Sequence, residues 1–265
     1  MNTTLGTVTS KDGTRIVYEV VGSGPPVILI GGAFNDRSTV MALATTLASD
    51  LAAVAYDRRG RGDSGDSADQ AVEREIEDLA ALIERVGGSA RLFGHSSGAV
   101  LALEAAIHGL AVDRLAVYEP PYIVEGTRPR PAADATDRLR ALLADGHPDD
   151  AVALFQTEVI GLPPEMVDGM RASAVWGHLV NLAPSLPREL ELFAPAYRVP
   201  AARLGTISVP TLAMAGSRSS EWVQVGTRAV TDAIPGARFV TLEGQDHGVL
   251  RQPEALRPVL LDFYR

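Results

Sequence analysis

Two residues set far apart in the chain are of types that could do nucleophilic chemistry together. One is Ser96, at the centre of Gly94-His95-Ser96-Ser97-Gly98; the other is His247, in Glu243-Gly244-Gln245-Asp246-His247-Gly248. A serine hydroxyl attacks a carbonyl only weakly unless a base takes its proton. The pattern G-x-S-x-G, between an apolar strand and a helix, forms a turn so tight that the serine must project from it, which is why small residues flank it two places away. Here Ala90 to Phe93 supplies the apolar run and Ala99 to Leu103 the helical one. The helix N-terminus then favours negative charge beside the serine. Of the five histidines (His95, His108, His147, His178 and His247), only His247 follows a late expected strand on a glycine-flanked loop. A lone loop histidine is otherwise an ordinary polar surface residue, so its position is what marks it as a base.

An attacked carbonyl needs N–H donors for its developing oxyanion. Ser97, after the nucleophile, would give one. The loop after Pro26 to Ile30, at Gly32 or Ala33, would give the other, its two glycines letting the backbone come close.

The elements that must position these groups are legible as alternating strands and helices. Strands are expected at Thr7–Thr9, Arg15–Val21, Pro26–Ile30, Leu51–Tyr56, Ala90–Phe93 and Val112–Glu119. Helices are expected over about 37–48, behind Val72 and from the elbow to about His108. Ser67 and Gln70 have the spacing of a capping box for the second helix, with Gly87-Gly88 ending it. Continuous apolar strands interleaved with helices imply a mostly parallel sheet flanked by helices, the α/β class. From Pro120 to about Gly205 the pattern changes to helices over about 133–145, 149–160, 164–183 and 187–195. Strands return at 209–215 and 238–242, with helices near 221–234 and 253–264. The expected organisation is therefore a core of residues 1–120 and 205–265 carrying an inserted helical cap, 121–204.

Composition narrows the classes. The chain has 265 residues, a formal net charge of −9, 46% hydrophobic residues and no cysteine. Thiol catalysis, disulfides and cysteine metal sites are excluded. The acidic balance, without a basic block, argues against nucleic acid and anionic membranes as partners. The first ten residues lack a charged and then apolar leader, and no apolar run approaches about 18 residues. A cytoplasmic monomer or homodimer acting on a small molecule, with no metal and no cofactor, is the expectation.

Taken together, these motifs resemble the α/β-hydrolase superfamily in its cap-bearing branch. The resemblance rests on GHSSG, the Gly31-Gly32 loop, Asp57 to Ser64 in the form DxRGxGxS, EGQDHG, and the helical insertion after Glu119. It implies a structural role for the Asp57–Ser64 turn, and a serine hydrolase with a catalytic triad and an oxyanion hole. The chain departs from the family where its acid usually stands: about position 219, in Gly216-Ser-Arg-Ser-Ser-Glu-Trp222, is a serine. Glu119, Glu221 and Asp246 are the candidates, with a dyad or water-assisted arrangement as the alternative. Some relatives carry the acid on the strand that Glu119 ends. Glu221 sits where a helix start favours any carboxylate, and Asp246 adjoins His247, where neighbours rarely orient each other.

The resulting expectation is an esterase, thioesterase or lactonase working through Ser96, His247 and Glu119. Phe34, His95, Trp176 and Met170 would bind substrate, with Phe155, Met166 and Val180 as further apolar candidates. Each of the apolar ones also reads as ordinary helix packing. Two rivals stand beside it. One is other chemistry at the same site, such as carbon–carbon hydrolysis or perhydrolysis. The other is a ligand-binding protein that has lost the reaction.

Overall fold

The computed structural model describes residues 3–193 and 197–265. Its sheet has eight strands in the order β1-β2-β4-β3-β5-β6-β7-β8. These are β1 (Thr3–Thr9), β2 (Arg15–Val21), β3 (Pro26–Ile30), β4 (Ala52–Tyr56), β5 (Ala90–His95), β6 (Val112–Tyr118), β7 (Thr211–Gly216) and β8 (Arg238–Leu242). β1 and β2 run antiparallel to their neighbours, and from β4 to β8 every pairing is parallel. The parallel part is buried on both faces, which is why its strands read as unbroken apolar runs. Val27 and Leu29 of β3 face one apolar cluster, with α1 (Arg37–Leu47) and α11 (Arg257–Tyr264). Ile28 and Ile30 face the other, with α2 (Val72–Arg85) and α3 (Ser97–Ile107). All four are fully buried, and each such side chain contributes about 1.5–3 kcal/mol.

Between β6 and β7 lie only helices and loops among the described residues. They are α4 (Ala135–Ala144), α5 (Pro148–Leu154) continuing as a π-turn over Phe155–Ile160, α6 (Pro164–Arg171), α7 (Val175–Leu182), α8 (Leu186–Glu191) and α9 (Ala201–Leu204). This insertion shares the apolar cluster of the sheet's α3 face, with Leu139, Phe155 and Leu186 packed in one body with Val117 and Tyr122. After β7 comes α10 (Glu221–Ala233). No helix among the described residues is long and apolar enough to cross a membrane.

Several local expectations differ from what forms: the strand expected at Thr7–Thr9 runs from Thr3, and the helix expected over 253–264 is a 3-10 turn at Pro253–Ala255 followed by α11. The helix expected over 164–183 is two helices, because the Ser173 hydroxyl bonds back to the Met170 carbonyl at 2.7 Å and turns the chain. The helix expected over 187–195 is α8, ending at Glu191; positions 194 and 195 lie outside the described residues. Ser67 does not cap α2, which begins at Val72. Its hydroxyl instead accepts from Arg59 at 2.9 Å. A buried guanidinium outbids a solvent-accessible helix end for that oxygen.

Candidate active site

The elbow forms where β5 hands over to α3. Ser96 takes φ 57° and ψ −125°, and its N–H bonds to the Tyr118 carbonyl at 2.9 Å. The glycine requirement is physical. A Cβ on Gly98 would sit 2.6 Å from the Gly31 carbonyl oxygen, and one on Gly32 would sit 2.7 Å from Ser96 Cβ. The loop after β3 therefore lies directly against Ser96.

In that loop the Gly32 N–H is bonded to Asn35 Oδ1 at 2.9 Å, and the small size of Gly32 admits the close approach to Ser96. The Ala33 and Ser97 N–H groups have no acceptor among the described residues, and both residues line one cavity with Ser96 and His247.

His247 follows β8. Its Nδ1 lies 2.6 Å from Glu119 Oε2. Glu119 follows β6 directly, takes φ 51° and is fully buried. Its other oxygen accepts the Gly216 N–H at 2.7 Å and the Ser219 hydroxyl. Position 219, where the family resemblance implies an aspartate, thus holds a serine that braces the glutamate from the next strand over. The other two carboxylates are elsewhere. Glu221 is exposed in the first turn of α10, and Asp246 accepts the Gly248 N–H at 2.7 Å.

The loop carrying His247 is gripped from the sheet. The Tyr118 hydroxyl donates to the Asp246 carbonyl at 2.8 Å, and His95 Nε2 bonds the His247 carbonyl at 2.8 Å. Because a carbonyl only accepts, the His95 proton is on Nε2. Burial, aided by repulsion from His247, pushes the pKa of His95 down to about 3, so it is neutral in its resting role. His95 also lines the cavity.

The Asp57–Ser64 turn is structural. Asp57 is fully buried and accepts the Arg37 and Asp63 N–H groups at 2.7 and 2.9 Å. Its arginines, however, reach toward the site. Arg58 is paired with Glu75, at 2.6 Å, and with Glu189 of α8, at 2.9 Å. Arg61 donates to the Gly32 carbonyl at 2.6 Å and also pairs with Glu189. Burial opposes the charge on Glu189, but Arg58 and Arg61 outweigh it and hold its carboxyl below the usual range. The insertion and the loop after β3 are therefore tied through one buried ionic cluster. Glu189→Gln strands the buried Arg61 guanidinium and leaves Arg58 with Glu75 alone. The expected cost is about 3–5 kcal/mol, read as a lower denaturant midpoint with an unchanged slope.

The cavity has a volume of about 880 Å³, within the usual range for a small-molecule site. Of the expected substrate residues, Phe34, His95, Phe155 and Met166 line it; Trp176, Met170 and Val180 do not. Trp176 donates Nε1–H to Asp149 and stacks under Arg171, while Met170 and Val180 pack against the apolar cluster. From α7 it is Val175, His178 and Leu179, spaced i, i+3 and i+4, that reach the cavity. Phe34 meets Phe155 edge to face at 5.4 Å, joining the core loop to the insertion. Sequence reasoning missed Asn35, Arg128, Glu189 and Trp222, which carry no motif. Among the described residues no group of three or more His, Asp or Glu side chains is arranged to hold a metal ion.

The sequence matches the alpha/beta hydrolase family over residues 27–259. The chain belongs to that family and is an enzyme of the hydrolase type. Among solved structures it is similar to an alpha/beta hydrolase from Sphaerobacter thermophilus DSM 20745, 48% identical, covering 98% of this chain and all of that one with a TM-score of 0.93. It is also similar in fold to the esterase RhEst1 from Rhodococcus sp. ECU1013, 23% identical, with 98% of each chain covered and a TM-score of 0.72. The uncharacterized hydrolase YraK of Bacillus subtilis (strain 168) is 36% identical over 114 residues, which span 41% of this chain and 42% of that protein.

Proposed function

We propose that this protein is a cofactor-free serine hydrolase of small esters, thioesters or lactones. The observation that carries the reading is the His247–Glu119 contact of 2.6 Å on the wall of the cavity that also receives the strained Ser96. Glu119 fixes the proton of His247 on Nδ1, leaving Nε2 to take the proton of Ser96 as its Oγ attacks the carbonyl. The Ala33 and Ser97 N–H groups hold the oxyanion. As that oxyanion collapses, His247 passes the proton to the departing alcohol, thiol or ring oxygen. Water then attacks the acyl-enzyme, giving one proton to His247, which returns it to Ser96 as the acid leaves. The insertion acts as a cap, choosing substrate through side chains such as Phe155, Val159 and Phe193, which line the cavity.

A fluorophosphonate probe tests this directly. Ser96 Oγ displaces fluoride at phosphorus, so the expected result is one adduct per chain, located on the peptide containing Ser96 and absent from Ser96→Ala. A folded wild-type protein that never labels would favour a binding role over acyl transfer.

A further inference from the structure

Arg128 lines the same cavity as Ser96 and His247. Its guanidinium is clamped in place. It lies 4.6 Å from the centroid of the Trp222 ring. It donates to the carbonyls of Pro129 at 3.2 Å, Ile160 at 2.8 Å and Val159 at 3.2 Å. Those bonds occupy three of the five N–H groups that a guanidinium carries, leaving one on each terminal nitrogen. Arg58, Arg61 and Arg188 each pair with a carboxylate; among the described residues none pairs with Arg128. Partial burial pushes its pKa down, with only Tyr197 opposing that, so a half-buried cation stands here without a carboxylate partner among the described residues.

The rest of the cavity has the same sign. Arg218 and Arg251 also line it. Of the acids that do, Glu189 is neutralised by Arg58 and Arg61, and Asp246 is engaged with Gly248 and, at 3.6 Å, with Arg251. In a chain of net charge −9, this pocket is a cationic exception with apolar walls at Phe155, Val159, Leu162 and Leu179. Capping the last carbonyls of the π-turn explains the bonds to Val159 and Ile160. It does not explain the two N–H groups left over, or the missing carboxylate.

We propose that Arg128 is an anion-recognising residue and that the substrate carries a free carboxylate, separated by an apolar stretch from the carbonyl that Ser96 attacks. This deepens the hydrolase reading and rests on it for the reaction, though not for the binding. A carboxylate arriving at Arg128 gains charge-assisted hydrogen bonds and supplies the absent counter-charge.

Two measurements test it. The first compares kcat/KM for the mono-4-nitrophenyl ester of hexanedioic acid and for neutral 4-nitrophenyl hexanoate. Wild type should prefer the anionic ester, and Arg128→Gln should lower the anionic-to-neutral ratio by roughly 10–100-fold. A ratio that moves less than about threefold overturns the proposal, since loss of a helix cap would slow both esters alike. The second is calorimetric binding of free hexanedioate and of hexanediamide, using wild type and Arg128→Lys as well, so that a misfolded glutamine variant decides nothing alone. Dicarboxylate binding at least about tenfold tighter than diamide binding, and weakened in the variant, supports the subsite. Equal binding of the two sinks it. Neutral-ester turnover with no anion preference removes the subsite and leaves the hydrolase; Arg128-dependent dicarboxylate binding without labelling of Ser96 does the reverse.

Discussion

Replacing Ser96 by alanine is expected to leave the fold intact and to lower kcat for a nitrophenyl ester by a factor on the order of 10³ or more. The hydroxyl forms no bond that holds an element together. Ser96 contributes to the fold through its backbone, whose N–H and carbonyl join β6 and α3, and alanine keeps both. What disappears is the hydroxyl that the proposed mechanism uses to form the acyl-enzyme. Circular dichroism and the denaturant midpoint should match wild type while steady-state turnover collapses. Turnover within about tenfold of wild type, in protein shown by mass spectrometry to carry alanine, would remove covalent catalysis from the mechanism.

The second large effect belongs to the acid. Glu119→Gln is expected to lower kcat by roughly 10²–10⁴, while Glu221→Gln costs less than about tenfold. A glutamine can keep the bulk and accept from the Gly216 N–H, but it has no charge to stabilise an imidazolium. Where its amide nitrogen faces His247, it favours the wrong tautomer. Glu221 touches none of this, being exposed at the start of α10. The two variants measured side by side separate a triad acid from a general loss of negative charge. If Glu221→Gln is the more damaging, the assignment of the acid is wrong. Loss of folding in Glu119→Gln would show as a lower thermal midpoint and not as a kcat change in folded protein.

Much of the fold is legible in the sequence where a single local rule decides the outcome. Val27 to Ile30 can only be a strand buried on both faces, and β2, β3 and β8 form over the spans that their patterns give. Gly98 and Gly32 mark close approaches that no side chain tolerates. What the sequence hides depends on partners distant along the chain. Nothing near Ser67 says that Arg59 will claim its hydroxyl. Nothing in α7 says that its buried stripe of Trp176, Leu179 and Leu182 packs on the core while the exposed Val175 and His178 border the cavity, because the cavity's other walls come from elements distant along the chain. The Glu189 contacts to Arg58 and Arg61 join positions 131 and 128 residues apart, and no spacing rule reaches that far. The candidate site divides the same way. The types and order of Ser96, Glu119 and His247 are readable, whereas the brace from Ser219 and the commitment of the Gly32 N–H to Asn35 are not.

The positive φ angles carry a consequence for how such a protein can change over time. Among the described residues, the non-glycine positions in that region are Phe34, Ser96, Glu119 and Tyr197. Phe34, Ser96 and Tyr197 line the cavity, and Glu119 holds His247. Each such residue costs on the order of 1 kcal/mol or more, against a net stability of about 5–15 kcal/mol for a typical protein. Glycine relieves that strain at any of the four and removes a side chain the cavity uses. A lineage driven only toward heat resistance is therefore drawn to discard these four side chains. A lineage that keeps its chemistry must find its added stability elsewhere, in the sheet and in the helices behind it.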